Sequence, residues 1–460
     1  MKILLQGACV AALIAACPVS AQADSGAAAI AGRWDAALTD NGPDVPFRLD
    51  VVNDKGVLKG VFYDGSEVSE TTTSADFRDG KLVLKSDHYL TTISASLKGG
   101  ELVGQTTLEG PGYGIKYGFH AVRHVDAPAQ AAENIPSIAG SWVIPLESPS
   151  SKGEKAFRFV TQQQGAFATA SILRIDGDTG AYSGTYKDGK WVLSHFDGHR
   201  PGVIEVAANS DGTLGVVAHN EALVHALQGN DNKGYGEEKY GAATPHYIAY
   251  RPEVAQAKGL PAPDSFLTHT VARDPNETFK FSFRDVNGKL VSNEDFKGKV
   301  VLAIVTGTWC PNCHDEAKYL VQLDKQYRDK GLAIVALDFE EPEQQQSLVR
   351  ETAFVKQYGV KYPYLIAGAP SEMWEKVPQL NHLDTWPATV FVGRDGKVKA
   401  VHSGFASAAS GEFNTQLKQE FTTRIEQLLA EKTTASAAAP VKLAGGESIE
   451  DLWDRWNDQP

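Results

Sequence analysis

The hydrophobic period of this chain changes once, near residue 252, and that change constrains the fold more than any other feature. From Ile30 to Arg251 short apolar-polar alternations are punctuated by turn pairs: Phe47, Leu49 and Val51 precede Asn53-Asp54-Lys55-Gly56, and Leu82 and Leu84 follow Asp79-Gly80. A period of two places every second side chain on one face of a strand, so this stretch is expected to be all-β. Beyond the Pro-containing connector, 252–276, Val300 to Val305 and Leu332 to Leu337 are uninterrupted apolar runs, as strands buried on both faces require. Between them Ala317, Leu320, Leu323 and Tyr327 recur at helical spacing, and Gly331 stands where a helix would stop. Strand, helix and strand of this length make a βαβ unit. A second helical stretch opens at Pro342 and ends near Gly359. A strand from Ala388 to Val392 turns at Asp395-Gly396 into Lys397 to Val401, and a last helix runs from about Glu412 to Glu431.

The β half repeats itself at a spacing of about 110 residues. Ile30-Ala31-Gly32-Arg33-Trp34 returns as Ile138-Ala139-Gly140-Ser141-Trp142, Phe47-Arg48-Leu49 as Phe157-Arg158-Phe159, and Asp79-Gly80-Lys81-Leu82-Val83-Leu84 as Asp188-Gly189-Lys190-Trp191-Val192-Leu193. Units of this size are domains rather than solenoid turns, so residues 28–125 and 136–251 are read as two tandem β domains, barrels or sandwiches. The paired Gly-x-Trp openings resemble those of calycin-type barrels, and Trp34 and Trp142 are expected to plug the two cores. Residues 277–431 form the α/β domain. The Ala-rich tail, 432–460, is read as flexible, with Ile449, Leu452, Trp453 and Trp456 on one face of a short amphipathic segment.

A chain of 460 residues is too long for one compact core, and its net charge of -13 argues against nucleic acid as a partner. Residues 1–23 read as a cleaved secretory signal: Lys2 gives a basic start, Ile3 to Ala16 an apolar run too short to span a bilayer, and Ala21-Gln22-Ala23 a small-residue cleavage site. Ile14-Ala15-Ala16-Cys17 also resembles a lipoprotein processing box, although Pro18 weighs against it, so a lipid anchor at Cys17 stands beside soluble export. Both readings place the mature protein in the periplasm or cell envelope. They also leave Cys310 and Cys313 as its only cysteines, and a single close-spaced pair in an exported chain fits redox work better than stapling a fold this large.

Trp309-Cys310-Pro311-Asn312-Cys313 lies where a buried strand hands over to a helix, which sets the first sulfur beside the unpaired N–H groups of the helix N-terminus, where negative charge is favoured. The spacing lets Cys310 attack a disulfide and Cys313, one turn on, resolve the mixed disulfide. Around this motif stand Gly298-Lys299-Val300-Val301, Glu316 three residues after Cys313, Gly331-Leu332, and Trp386-Pro387-Ala388-Thr389-Val390-Phe391 before Asp395-Gly396-Lys397. With these five features in order, residues 279–429 resemble the TlpA-like exported disulfide reductases of the thioredoxin superfamily.

The resemblance implies a thioredoxin fold and a redox-active Cys310-Cys313 disulfide. It also implies a cis-proline at Pro387, with Trp309, Pro311, Trp386 and Pro387 contacting substrate, and an active-site acid at Glu316. Disulfide-containing client proteins and a membrane thiol-relay reductant would be the partners, with no bound cofactor and no metal. Ile304, the run Val305-Thr306-Gly307 and Trp386 depart from the family pattern without breaking the strand.

Rival readings are weaker. Cys310-Pro311-Asn312-Cys313-His314 also spells the c-type haem attachment pattern, but it follows a buried strand, and Met373 is the one methionine beyond the signal to serve as an axial ligand. Zinc held by the two cysteines and a histidine lacks a second ligand pair. A peroxiredoxin-like peroxidase usually carries Thr or Ser where Gly307 stands. His314 is read as a solvated residue of the first helical turn. A binding protein whose β domains do the work, with the thioredoxin domain accessory, is the rival from outside enzymology.

Overall fold

The computed structural model describes residues 28–110, 113–126, 134–229 and 241–431. The signal segment, Cys17 and the amphipathic tail lie outside the described residues.

Two nine-stranded sheets precede the α/β domain. In the first, strands β1 to β9 run from β1 (Gly32–Thr39) to β9 (Tyr113–Arg123). Their order starts at β4 (Glu67–Thr71), descends to β1, passes to β9 and descends to β5 (Ser74–Arg78). β1 therefore pairs with both its successor and the last strand, curling the meander into a near-barrel that is open between β4 and β5. The second sheet, β10 (Gly140–Pro145) to β18 (His246–Ala249), runs as a meander in which the two-residue β13 (Gly177–Asp178) hangs from its neighbour β12 (Phe167–Arg174). Val143 and Tyr250 exchange two backbone hydrogen bonds of 2.8 Å, joining the end of this meander back to its first strand.

The repeated Gly-x-Trp motif has one structure in both sheets. Trp34 Nε1 donates to Ile30 O at 3.0 Å and Trp142 Nε1 to Ile138 O at 2.9 Å, with both indoles buried in their respective cores. The guanidinium of Arg123 lies 4.0 Å over the Trp34 ring, and that of Arg251 lies 3.6 Å over Trp142. Each arginine also donates to the carbonyl just ahead of the glycine, Arg123 to Ala31 and Arg251 to Ala139. Gly32 and Gly140 are required here: their φ values are 126° and 117°, and a Cβ would meet the guanidinium nitrogen at 2.6 and 2.5 Å. First and last strands are thus clasped by a cation–π contact and a charged hydrogen bond.

The α/β domain holds a seven-stranded mixed sheet of β20 (Ser282–Asp285), β21 (Leu290–Ser292), β22 (Val300–Thr306), β23 (Leu332–Phe339), β24 (Tyr364–Gly368), β26 (Ala388–Val392) and β27 (Val398–Ser403), in the order β21-β20-β24-β23-β22-β26-β27. β22 and β23 pair in parallel across the helix between them, and β26 joins β22 antiparallel. Both faces are covered. Val300, Leu302 and Ile304 face α1 (Pro311–Tyr327), α2 (Val349–Tyr358) and α3 (Glu412–Ala430), while Val301, Ala303 and Val305 face a second cluster with Phe279 and Phe281. This two-sided burial is why β22 and β23 read as unbroken apolar runs.

Some local expectations change. The connector 252–276 is folded: Pro252–Ala257 is a short helix, Val271–Ala272 (β19) pairs with Leu380–Asn381 (β25), and Phe266 joins the α/β core. Both terminal nitrogens of Arg158 reach Asp264 O at 3.1 Å. The helical stretch opened by Pro342 is broken by Leu348 at a φ of 51°. That break turns α2 so that Arg350, fully buried, donates to His88 O of the first sheet at 3.1 Å. The strand after Asp395-Gly396 runs to Ser403 rather than Val401.

Candidate functional site

β22 ends at Thr306, and the three residues that follow set up the helix start. Cys310 N donates to Gly307 O at 3.1 Å, and Cys310 itself is the extended N-cap residue of α1, with Pro311 at the first helical position, where its missing N–H costs nothing. The Trp309 indole donates to Phe339 O at 2.9 Å and meets Trp386 edge-on at 5.1 Å. The Trp386-Pro387 peptide is cis. Cys310 Sγ lies 3.2 Å from Trp386 O, and Pro387 O accepts from Gly404 N at 2.7 Å. Trp309, Cys310, Pro311, Trp386 and Pro387 thus meet in one place, although Trp386 is 76 residues from Cys310.

Both cysteines are free thiols, with Cys310 5% and Cys313 2% exposed. Burial and the Cys310 sulfur beside it push the Cys313 thiol well up from its ordinary value, and contacts with Thr306 and Gly307 only partly oppose this. Glu316, one turn beyond Cys313, is 1% exposed. Thr389, two residues after Pro387, donates to Glu316 Oε1, and Oε2 faces no hydrogen-bond partner. Burial pushes this carboxyl up to about 8, with the Thr389 hydroxyl pulling weakly the other way. Thr389 lies within the motif read from the sequence, but nothing in that motif signals its hold on Glu316.

The sequence does not announce the cover over this site, which the two β sheets provide. Asn312, between the cysteines, donates to Asp176 O at 3.0 Å, and Gly177 bridges to Phe405. Asp178 accepts from Ser407 N at 2.6 Å and from the hydroxyls of Ser407 and Ser410. Arg200 pairs with Asp197 at 2.7 Å and, across the junction, with Asp315 at 3.2 Å. Burial would raise Asp197, but Arg200 and His195 outweigh it and hold the carboxyl well below the usual range.

From the first sheet, Tyr89 stacks between His199 at 4.6 Å and His314 at 4.0 Å. His314 is therefore not solvated. It is fully buried, its Nε2 is 2.6 Å from Thr308 O, and burial drives its imidazole well below the ordinary histidine value. A solvated reading failed because the first sheet, some two hundred residues earlier in the chain, closes over that turn of α1. A cavity of about 230 Å³ reaches Pro311 from the junction, lined by Tyr117, His199, Arg200 and Leu223 among others.

Comparison with known proteins bears on the α/β domain alone. The Redoxin family model matches residues 272–417. The thiol-disulfide oxidoreductase ResA of Bacillus thuringiensis (strain Al Hakam) is 33% identical over 122 residues, covering 26% of this chain and 65% of ResA, so the chain spans just under two thirds of that relative. The thioredoxin-like protein YneN of Bacillus subtilis (strain 168) is 32% identical over 126 residues, 27% of this chain and 68% of YneN. A thioredoxin family thiol:disulfide interchange protein of known structure from Chlorobium tepidum TLS is 23% identical, with a TM-score of 0.27, covering 35% of this chain and all of its own. Through its C-terminal domain the chain belongs to the redoxins, as a TlpA-like member of the thioredoxin superfamily related to ResA.

Proposed function

We propose that the protein is an exported thiol-disulfide oxidoreductase that reduces disulfides in envelope client proteins through a Cys310 mixed disulfide. The observation that carries this reading is the placement of Cys310 Sγ 3.2 Å from the carbonyl ahead of cis-Pro387, with Cys313 beneath it in the same turn of α1. An extended client segment lying along that peptide would bring its disulfide to Cys310 by strand addition, flanked by Trp309, Pro311 and Trp386.

The Cys310 thiolate attacks one client sulfur and forms the mixed disulfide, while the other client sulfur leaves as thiolate. Cys313 then attacks Cys310, closing the Cys310-Cys313 disulfide and releasing the second client thiol, so that two electrons pass from the pair to the client. Cys313 must lose its proton for the second step. With its carboxyl near 8, Glu316 trades protons close to neutral pH, which suits a group that takes one from the resolving thiol and returns one to the departing client. A membrane thiol relay then re-reduces the pair.

The two β sheets, read as tandem copies of one unit, restrict access to Cys310 and so choose clients. Loops of the second sheet hold Asn312 and Asp315, which neighbour the cysteines, and the cavity beside Pro311 is the approach that remains. Export rests on the sequence of residues 1–23; among the described residues no helix is long and apolar enough to cross a membrane.

The test is a redox titration of the mature protein against thiol buffers, followed by Trp fluorescence, with Cys313→Ser as the control. A reversible two-electron midpoint below about -220 mV is expected, whereas one near about -120 mV would make the protein an oxidant, and the absence of a transition would end the reading. Cys313→Ser should also accumulate a mixed disulfide with a model client, visible by mass spectrometry.

A further inference from the structure

Behind the CxxC turn, where the first sheet meets α1 and α2, three potential ligands converge from distant parts of the chain. Glu70 lies in β4, His88 lies in the loop after Ser86, and His314 directly follows Cys313. One ligand atom from each lies within 4.8 Å of the others, and all three residues are buried. His88 Nε2 is 3.3 Å from Glu70 Oε2. The Tyr358 hydroxyl completes the group, 2.6 Å from Glu70 Oε2 and 2.8 Å from His314 Nδ1.

Counting protons shows what the group lacks. The 2.6 Å contact to a carbonyl, which has only lone pairs to offer, requires His314 to carry its proton on Nε2, leaving the Nδ1 lone pair directed at Tyr358. Glu70 Oε2 also offers lone pairs, and the phenol has one proton for these two acceptors. His88 is fully buried, and neither of its ring nitrogens has a hydrogen-bond partner. A buried group so rich in lone pairs favours a cation. The second contacts match those of a metal site: His314 is oriented through its far nitrogen by a backbone carbonyl, and Glu70 Oε1 is held by Thr71 N at 2.8 Å and by the amide of Gln357.

We infer that Glu70, His88, His314 and Tyr358 form a binding site for one zinc-class divalent cation, which clamps the first β sheet to the helix carrying the cysteines. Two imidazoles, a carboxylate and a phenol oxygen supply four borderline or hard donors, the set suited to such an ion. Bonds of about 2.0–2.1 Å hold tetrahedral ligands about 3.3 Å apart, so the Glu70–His88 separation already fits. The phenol contacts of 2.6 and 2.8 Å open by about 0.5–0.7 Å as the ion displaces the phenolic proton. Two positive charges then meet one carboxylate and one phenolate, leaving the buried group neutral. Neither cysteine takes part.

The experiment uses the full mature chain, chelator-treated and dialysed. Zinc is titrated against a competing chromophoric chelator, stoichiometry is measured by elemental analysis, and cobalt is used as a spectroscopic probe. One zinc per chain is expected, along with a cobalt spectrum that has visible ligand-field bands but no sulfur-to-metal charge-transfer band. Cys310→Ser/Cys313→Ser should bind equally well. His88→Gln and Glu70→Gln should each weaken binding by more than the roughly 10- to 100-fold lost with an outer-shell partner. No stoichiometric zinc, or binding that follows the cysteines and brings a charge-transfer band, overturns the inference. Should both ligand variants fail to fold, the wild-type cobalt spectrum still decides between the two sites.

Discussion

Replacing Glu316 with Gln tests the buried acid without disturbing its packing. Thr389 donates to Oε1, a bond that an amide oxygen accepts equally well, and Oε2 has no partner to lose. The two forms should therefore be nearly isosteric while the carboxyl is protonated. Its folded-state value near 8, against an ordinary 4.5, means that between these pH values the folded chain holds a proton that the unfolded chain has released. The stability contributed by the protonated acid is fully present below 4.5 and is lost as pH rises through 8, at about 1.4 kcal/mol per pH unit within the window.

Between pH 5 and 7.5 this amounts to about 3 kcal/mol, so Glu316→Gln should gain about that much on the wild type over the interval. Other buried acids, such as Glu351, whose carboxyl burial pushes up to about 7, are common to both proteins and cancel in the difference. Urea unfolding of the two reduced proteins across this pH range reads the difference, and the wild-type-minus-variant infrared difference spectrum should show one protonated-carboxyl band. A stability difference that does not change with pH would refute the argument. Client reduction by the variant should lose its pH dependence near 8, and an unchanged rate and profile would remove Glu316 from the mechanism.

The cover over the thiols yields further expectations. A Cβ on Gly177, whose φ is 125°, would stand 2.5 Å from Phe405 O and 2.7 Å from the Asn312 amide. Gly177→Ala should therefore loosen the second sheet's hold on the CxxC turn and speed alkylation of Cys310 by a bulky maleimide several-fold; an unaltered rate would mean that this loop does not limit access. Arg200→Met removes the cation shared by Asp197 and Asp315, leaving Asp197 to His195 and Asp315 to Lys318, and should cost about 1–3 kcal/mol, read as a lowered unfolding midpoint. A loss within a few tenths of a kcal/mol would show the pair to be solvated. Trp34→Phe removes both the indole donor to Ile30 O and part of the ring under Arg123, and should destabilise the first sheet by about 1–2 kcal/mol in the same assay.

The parts of this molecule legible in its sequence are those set by local periodicity or by a short motif. β22 and β23 announce themselves because both faces are buried, and the cysteine turn because strand, Pro311 and helix adjoin in the chain. Leu348 carries no breaker chemistry, yet its backbone is left-handed and splits the helical stretch just ahead of Arg350, which meets His88. The setting of Cys310 was equally hidden. Tyr89 and Arg200 lie in loops and Gly177 in the two-residue β13, all more than a hundred residues away, and nothing in their own neighbourhoods says which surface they will meet. His314 shows the cost most clearly: by helical position it belongs to an exposed first turn, and only tertiary contacts with Tyr89 and Tyr358 bury it.

The arginine-on-tryptophan clasp has a topological consequence. Because Arg123 reaches back to Ala31, and Arg251 to Ala139, the chain comes into each β unit and departs from it at nearly the same point in space. A unit closed at the neck in this way has its two ends side by side, the arrangement that domain insertion and circular permutation tolerate best. The side faces are shared, however: Phe196, Val203 and Ala222 of the second unit pack into the core of the first, and Val160, Leu173 and Ile175 pack into the α/β core. Splicing a unit out at its clasp would leave a gap that a short linker can bridge, but it would bare the apolar residues that its neighbours pack against it.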